Sequence, residues 1–542
     1  MRRVGLCGLF LVWLTLSACS KEPDANAALI DFVPQGSPYV VASGAPFPEE
    51  YVARMSEFGK RIQPSIEEDL ASTLETTDFS EPTRKALGAL FSRLVNLNYA
   101  ESWNRPFVVY GRGLAPTFRG EIGQPDELRA LFDELDADPA LPVEAAERDG
   151  QKYWRLPLDE WVALATLANG AIAFGATTTA DEADLLDHLL SPASGDGDAI
   201  TRTIDAVRKQ YGFSDQAAGY LDTAALVAAG NAGSGMDPAC LKEIEGYAQI
   251  APRMLAGYDD VSASSMTFRG VVELEPSIAQ EIVTWSAPVP GLGGTDALFS
   301  FGMGIDLQKA LTTAASWQQQ LKQRGSACGL SGDAVDPATL PGVLMMMGVA
   351  GNPKGLRFTL DGLPTDLAVG GNWLVSAMLT AENPEATAAL ASGQLPVNSL
   401  LSSKGTPVEL PLGPLMQSPT PVWALLTDNA IGVSTGPDAE KRVQAIVNAP
   451  PAPEGTLLGM EFDMGKLADT VLPQLAEGGM LKSMMLAQAA ASGDPAAVEQ
   501  AERDIDRSIE MLQLYGQLLS RFVMTVRATP AGLELSETVA IR

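Results

Sequence analysis

The sequence predicts an α+β fold made of two tandem homologous halves, each a mainly antiparallel sheet packed with helices. Strand-like runs joined by short links alternate with segments of helical periodicity, a pattern that favours sheets with helices on one face. In addition, four landmark segments recur in the same order at offsets of 258, 259, 259 and 261 residues. A long-period repeat of this kind indicates that one structural unit occurs twice in the chain.

Residues 1–18 have the features of a secretion signal. Two arginines at 2–3 form a positive start, residues 6–16 are mostly apolar, and two small residues follow at 17–18. The apolar run is too short to span a bilayer as a permanent helix. We therefore expect this segment to be removed from the mature protein.

The run Leu16-Ser17-Ala18-Cys19 resembles the lipobox of bacterial lipoproteins. The resemblance covers only the start of the chain. It implies that Cys19 carries a diacylglyceryl group on its sulfur and a fatty acid such as palmitate on the new amino terminus. Because more than one acyl chain gives stable anchoring, the mature protein is expected to be held on a membrane without crossing it. The alternative is an ordinary secreted protein with a chance cysteine near the cleavage site.

The residue after the lipidated cysteine bears on sorting. This residue is Ser20 and not an aspartate. In the sorting pattern of enteric bacteria, a residue other than aspartate at this position favours the outer membrane. We therefore expect a lipoprotein of the outer membrane that faces the periplasm, tethered through residues 19–27. The first half is expected at 28–290 and the second at 291–542.

Length and charge restrict the partners. The mature chain has 542 − 18 = 524 residues, enough for several domains with hydrophobic cores. Two arginines leave with the signal, so the formal net charge becomes 35 − 67 = −32. Such an acidic chain is repelled by phosphate backbones, which argues against nucleic acid as a partner. No later stretch is apolar over the length of a membrane span.

The repeat rests on landmarks that are individually weak but share one order. The matched pairs are Tyr39–Gly44 with Ala297–Gly302, Gln124–Leu131 with Asn383–Leu390, Ile172 with Ile431, and Glu273 with Glu534. Asp222 and Asp463, each after a strand-like run, are only 241 residues apart. This difference predicts a longer segment after Asp222 in the first half.

Aspartates mark the predicted starts of three helices in the second half. Asp306 and Asp463 follow apolar runs and precede helical periodicity, as N-cap residues do. Asp494, followed by Pro495, opens the last long helix. The apolar face of that helix is expected to contain Ile505, Ile509, Leu512 and Leu519. The closing segment is predicted to form a hairpin around Thr529–Gly532.

Processing leaves two cysteines, Cys240 and Cys328. In an oxidising compartment such a pair usually forms a disulfide, which here closes a loop of 328 − 240 = 88 residues. Two independent buried thiols are the alternative.

Residue types for catalysis are sparse. The one histidine, His188, lies among helical leucines, where a partly exposed structural role is expected. Zinc sites and nucleophile–histidine pairs need more imidazole than this. The segment Gly432–Gly436 fits G-x-S-x-G, but no histidine follows Ser434, and the matching segment of the first half has no nucleophile. We therefore predict no catalytic residue.

The acidic pairs in loops are expected to be solvated rather than to bind calcium, because they lack the spacing and the terminal glutamate of an EF-hand. These pairs are Asp136 with Asp138 and Asp196 with Asp198. No metal site and no cofactor is predicted.

Two methionine groups are the remaining candidates for a ligand site. They are Met345–Met347 and the set Met480, Met484 and Met485. Flexible methionine-rich surfaces can hold varied apolar ligands or partners, whereas filling gaps in the core is the commoner role. If a ligand pocket exists, the helix of the second group is where it is expected.

These observations favour a lipid-anchored cell-envelope protein with a non-enzymatic binding or scaffolding role, whose partners would be envelope proteins. One alternative is a carrier or sensor of an apolar ligand. Another is a hydrolase with an unrecognised carboxylate site, since the separation of such carboxylates is spatial and not visible in the sequence.

Overall fold

The computed structural model describes residues 29–75, 79–96, 104–168, 170–192, 197–231, 236–289, 297–324, 327–328, 340–362, 374–392, 397–412, 420–475, 479–491 and 493–542. The signal, the lipobox and the tether lie outside these residues. The chain divides into two compact units. The first contains Met1–Gly235 and Ala251–Gly270, and the second contains Met236–Ile250 and Val271–Arg542.

The elements of the first part of the chain alternate between strands and helices, as an α+β fold requires. They are β1 (Tyr39–Ala42), α1 (Glu49–Glu75), α2 (Glu81–Asn96), β2 (Phe107–Arg112), β3 (Ala115–Glu121), α3 (Pro125–Ala137), β4 (Glu144–Arg148), β5 (Gln151–Leu158), β6 (Trp161–Ala168), β7 (Ala171–Thr178), α4 (Glu182–Leu190), α5 (Gly197–Tyr211), β8 (Ala218–Asp222), α6 (Thr223–Asn231), α7 (Pro238–Ile250, in the second unit), β9 (Arg253–Val261) and β10 (Ser265–Glu273), within which the units divide.

The second part of the chain follows the same plan. Its elements are α8 (Pro276–Val283), β11 (Phe299–Gly304), α9 (Leu307–Arg324), α10 (Leu340–Val349), β12 (Pro353–Gly362), β13 (Leu374–Ala381), α11 (Pro384–Ser392), α12 (Asn398–Ser402), β14 (Val408–Leu410), β15 (Val422–Leu426), β16 (Ala430–Thr435), α13 (Ala439–Val447), β17 (Thr456–Asp463), α14 (Met464–Leu475), α15 (Met480–Ala490), α16 (Pro495–Leu518), β18 (Leu519–Thr529) and β19 (Gly532–Ile541).

Strand pairing is antiparallel in both units, which confirms the predicted fold class. In the first unit the spatial order is β4-β5-β6-β7-β3-β2-β1-β8-β9. In the second unit it is β14-β15-β16-β13-β12-β11-β17-β18-β19. No helix among the described residues is both long enough and apolar enough to cross a bilayer.

Helices pack on both faces of each sheet, so the expectation of one helical face is wrong. In the second unit, α13 packs over Met378 and Ala430, whereas α11 and α12 pack over Ala424 and Leu426, whose side chains point to the opposite face. The short connections that follow the strands lead to helices on either face of the sheet. One helix layer cannot cover strands whose alternating residues are apolar on both faces.

The predicted helix starts and the hairpin are confirmed. The carboxylates of Asp306 and Asp463 accept hydrogen bonds from the backbone N–H three residues later, at 3.1 and 2.9 Å, and that of Asp494 accepts one from the N–H of Ala496. Thr529 pairs with Gly532 at the tip of the β18–β19 hairpin. Leu519, however, begins β18 rather than belonging to the helical face, because α16 ends at Leu518.

The difference in spacing between the matched landmarks lies elsewhere than predicted. Between the matched positions Ile172 and Asp222 the chain has 222 − 172 = 50 residues, against 463 − 431 = 32 in the second unit, because α5 is inserted there. After the aspartates it is the second part of the chain that is longer, since α14, α15 and α16 lie between Asp463 and β18, whereas α6 and α7 lie between Asp222 and β9. The first half is therefore longer before Asp222 and not after it.

Candidate functional site

The predicted lipidation site, Cys19, lies outside the described residues. The predicted disulfide pair lies within them: the sulfur atoms of Cys240 and Cys328 are 2.00 Å apart, at bonding distance. The backbone N–H of Cys328 also donates to the carboxylate of Glu243, at 3.0 Å. The bridge therefore joins α7 to the segment after α9, both in the second unit.

His188 is half-buried on α4, and its Nε2 lies 2.9 Å from the hydroxyl of the fully buried Tyr110. Burial, with a smaller contribution from Arg112 and Arg119, lowers the pKa of His188 to about 4. Burial also raises the pKa of Tyr110 to about 12. Both rings are therefore neutral at pH 7, and the hydroxyl of Tyr110 is the hydrogen-bond partner of the imidazole.

Ser434 does not lie at a strand-to-helix turn. It is fully buried inside β16, and its hydroxyl is 2.9 Å from that of Ser376 on β13. A nucleophile elbow exposes its serine at the top of the sheet, which is not the position of Ser434. The structure thus gives G-x-S-x-G a packing explanation, because a Cβ at Gly432 would lie 2.4 Å from the side chain of Val447 on α13.

The prediction that the acidic pairs lie in loops is wrong for Asp136, which belongs to α3, and for Asp198, which belongs to α5. Asp136 accepts a hydrogen bond from the N–H of Ala145 at 2.8 Å, and Asp138 accepts one from Ala140 at 2.9 Å. Asp196 lies outside the described residues, and Asp198 lies in the first turn of α5. Within the described part of the chain, no group of three or more potential metal ligands is found.

The first methionine group forms an exposed apolar surface on α10. Met345 and Met346 are 68% and 71% exposed, and Val343 and Val349 are exposed as well. None of the ten residues of α10 is charged, and none is buried. Because a helix that is apolar on all sides is normally covered, this helix is a candidate contact surface.

The second methionine group lies on α15, which is also exposed. Met484 is 57% exposed, and Met485 is exposed too. Met480 is the first residue of the same helix. The expectation that these methionines fill gaps in the core is therefore wrong for Met345, Met346 and Met484. The sequence alone could not show this, because core helices have the same composition.

A buried polar band crosses the second unit's sheet. In consecutive registered pairs across β16, β13, β12, β11 and β17, one face carries a row of polar side chains, all of them buried. The row consists of Ser434, Ser376, Thr359, Ser300 and Glu461. Arg357 lies on the same face of β12, two residues before Thr359.

The charges of this band are unevenly paired. Arg521 forms an ion pair with Glu461, and Arg442 on α13 lies 3.4 Å from Asp361. Arg357, only 1% exposed, has no hydrogen-bond partner on Nε or Nη1. Burial lowers the pKa of Arg357 and raises that of Asp361. Glu461 and Asp361 act against this lowering at Arg357, but the unfavourable burial of the guanidinium is the larger influence.

The opposite face of the same strands carries an aromatic row. Phe358, Phe299, Phe462 and Phe522 succeed one another across β12, β11, β17 and β18, with ring centroids 6.2, 4.8 and 6.2 Å apart. All four side chains are only half-buried. The strands therefore bury their polar residues more completely than their aromatic ones. The sequence analysis predicted neither the polar row nor the aromatic row, although the alternation of residue types in Gly355–Gly362 indicates a strand.

No protein-family model, no curated protein and no solved structure matches this chain.

Proposed function

We propose that this protein is a lipid-anchored, non-enzymatic binding protein of the cell envelope, which contacts an apolar partner through α10 and α15. The observation that carries the proposal is the exposure of α10. Uncharged over its whole length, this helix presents two adjacent methionines that are more than two-thirds exposed. Exposed contiguous apolar surface marks interaction sites in folded proteins, and thioether side chains adapt to partners of varied shape.

The proposed location rests on the lipobox resemblance. We infer that Cys19 is acylated and that the chain is held on the outer membrane, facing the periplasm. Labelling cells with a clickable palmitate analogue tests this: the wild-type chain is expected to incorporate the label and to sediment with membranes. Cys19→Ala is expected to do neither, and a wild-type chain that remains unlabelled would contradict the anchor.

A site-specific cross-link tests the contact surface. With a photoreactive amino acid in place of Val343, irradiation of cells is expected to give one discrete adduct. Met346→Glu, which places a charge on the same helix, is expected to abolish the adduct. Gln319→Glu, which adds the same charge at an exposed polar position of α9, is expected to preserve it. An adduct that survives Met346→Glu would exclude α10 as the contact surface.

The aromatic row favours a second candidate function, the carriage of an apolar ligand. Leu356, which is exposed on the same face of β12, extends the row and offers a position where a charge can be added. Solvent extraction of the purified protein is expected to release an apolar compound. Leu356→Asp is expected to reduce its amount, whereas Leu114→Asp, at an exposed position of the first unit, is expected to leave it unchanged. Empty wild-type protein would remove this candidate.

We also infer that the two units arose by duplication. The shared strand order supports this, because β7-β3-β2-β1-β8-β9 of the first unit corresponds, strand by strand, to β16-β13-β12-β11-β17-β18 of the second. The aspartates Asp222 and Asp463 end corresponding strands. Each accepts a hydrogen bond from the backbone N–H three residues later, at 2.8 and 2.9 Å.

A further inference from the structure

The buried polar band of the second unit contains several hydrogen-bonding atoms that have no partner. They are Nε and Nη1 of Arg357, Oγ of Ser300 and Oε2 of Glu461. All three side chains are more than nine-tenths buried. Buried polar atoms in folded proteins are nearly always paired with protein, ordered water or ligand, so a cluster of unpaired ones needs an explanation.

These groups share one face of three neighbouring strands. Ser300 on β11 is registered with Glu461 on β17, and Arg357 on β12 is registered with Gly302. Gly302 is in turn registered with Gly459, so no side chain projects from either position. At the register level of Arg357, β11 and β17 therefore offer no side chain that could pair with the guanidinium.

The charge of the cluster defines which chemical group it would accept. Among the described residues of this cluster, Arg521 is paired with Glu461 and Arg442 with Asp361, while Arg357 lies near both carboxylates, so three guanidinium groups are set against two carboxylates. This local excess occurs in a chain with a formal net charge of −30. A guanidinium presents its donors as a planar fork that matches the oxygens of a carboxylate or a phosphate.

We propose that Arg357, Ser300 and Glu461 form a binding site for a small molecule that carries an oxyanion together with a hydroxyl or ammonium group. The oxyanion, a carboxylate or a phosphate, accepts hydrogen bonds from Nε and Nη1 of Arg357. The second group donates to Oε2 of Glu461, since an ionised carboxylate can only accept. Ser300, whose hydroxyl can donate or accept, lies on β11, between the strands of Arg357 and Glu461. The site is separate from α10 and does not depend on the function proposed above.

Because the site is buried, its ligand is expected to remain bound during purification. Native mass spectrometry of the full mature chain is expected to show a discrete mass excess that disappears on denaturation. Arg357→Met, which keeps the length of the side chain without its charge, is expected to remove the excess. Arg527→Met is the matched control, because Arg527 lies on β18 but bonds only the backbone oxygen of Glu454.

Added probes identify the chemical class. After exchange into chloride buffer of fixed ionic strength, thermal unfolding is followed with inorganic phosphate, glycerol 3-phosphate, lactate or glycerol. A saturable rise in Tm with glycerol 3-phosphate assigns a phosphate ester, and one with lactate assigns a hydroxycarboxylate. Glycerol, which lacks the anion, is expected to have no effect. Arg357→Lys keeps the charge but not the fork and should weaken binding roughly tenfold to a hundredfold. Ser300→Ala, which changes little volume, provides a second test if Arg357→Met does not fold.

Two results would overturn the proposal. One is a wild-type protein that has the mass of the bare chain and shows no saturable response to any probe, which would mean that only water pairs with these atoms. The other is a response that is unchanged in Arg357→Lys and Ser300→Ala. Neither result bears on the cross-link at α10.

Discussion

Acidification is expected to destabilise the first unit through His188. The imidazole has a pKa of about 4 in the folded protein, against about 6.5 in an unfolded chain. Its neutral form is thus favoured by folding, through burial beside Tyr110 and through the nearby cations Arg112 and Arg119, while Asp184 acts in the opposite direction. The stability that this preference contributes is present above pH 6.5 and is lost as the pH falls towards 4.

Linkage gives the size of the effect. Between pH 7 and pH 5 the imidazole of His188 becomes protonated in the unfolded state but stays largely neutral in the folded state. The free energy of unfolding therefore falls by about 2 kcal/mol. The ring is only half-buried, and solvent screening reduces this to between about 1 and 2 kcal/mol. A change of this size is large against the total stability of a domain.

The assay is a comparison of the wild type with His188→Gln, which keeps a polar group near Tyr110 but cannot titrate. Both proteins are denatured with urea at pH 7 and at pH 5. Because the carboxylates titrate in both proteins, their contribution to the pH dependence of stability cancels in the comparison. The wild type is expected to lose between about 1 and 2 kcal/mol more than the variant. The chain has one histidine, so in a tag-free protein a single imidazole resonance reports its pKa directly. A resonance that titrates near 6.5, or equal losses in the two proteins, would refute the reasoning.

Three further predictions concern the second unit. Cys328→Ser is expected to lower the free energy of unfolding by up to about 4 to 5 kcal/mol, because the bridge closes an 88-residue loop, as measured by urea denaturation. Asp306→Ala is expected to lower it by about 2 kcal/mol, because this carboxylate caps α9 and also lies 2.6 Å from Nζ of Lys354. Met345→Glu with Met346→Glu is expected to change it by less than about 0.5 kcal/mol, because both side chains are exposed, while lowering binding of a hydrophobic dye.

Each of these has its own control. A reducing agent should destabilise the wild type and leave Cys328→Ser unaffected, and an equal effect on both would contradict the bridge. Asp306→Asn retains part of the cap and should cost less than Asp306→Ala, so equal losses would count against the capping role. A large loss of stability in the methionine double variant would mean that α10 is buried after all.

The local features of this chain are readable from its sequence because their causes are local. An aspartate before a periodic segment caps a helix wherever the segment lies, as at Asp306 and Asp494. The tight turn at Thr529–Gly532 closes a hairpin for the same reason. The longer segment before Asp222 is also visible in the sequence, because Ile172 and Asp222 are 222 − 172 = 50 residues apart and the matching Ile431 and Asp463 are 463 − 431 = 32 apart; our prediction placed it after Asp222 instead.

The sequence by itself determined the α+β class, the helix starts and the alternation of residues along each strand. In Gly355–Gly362, for example, Arg357 and Thr359 must lie on the face opposite Phe358, because side chains alternate along a strand. Only the tertiary structure decided that the face of Arg357 is the buried one and that the methionines of α10 are exposed. The physical reason is that alternation is a property of one strand, whereas burial depends on what packs against it. Here α13 packs on the face of Gly432 and Ser434 and leaves the aromatic row half-buried.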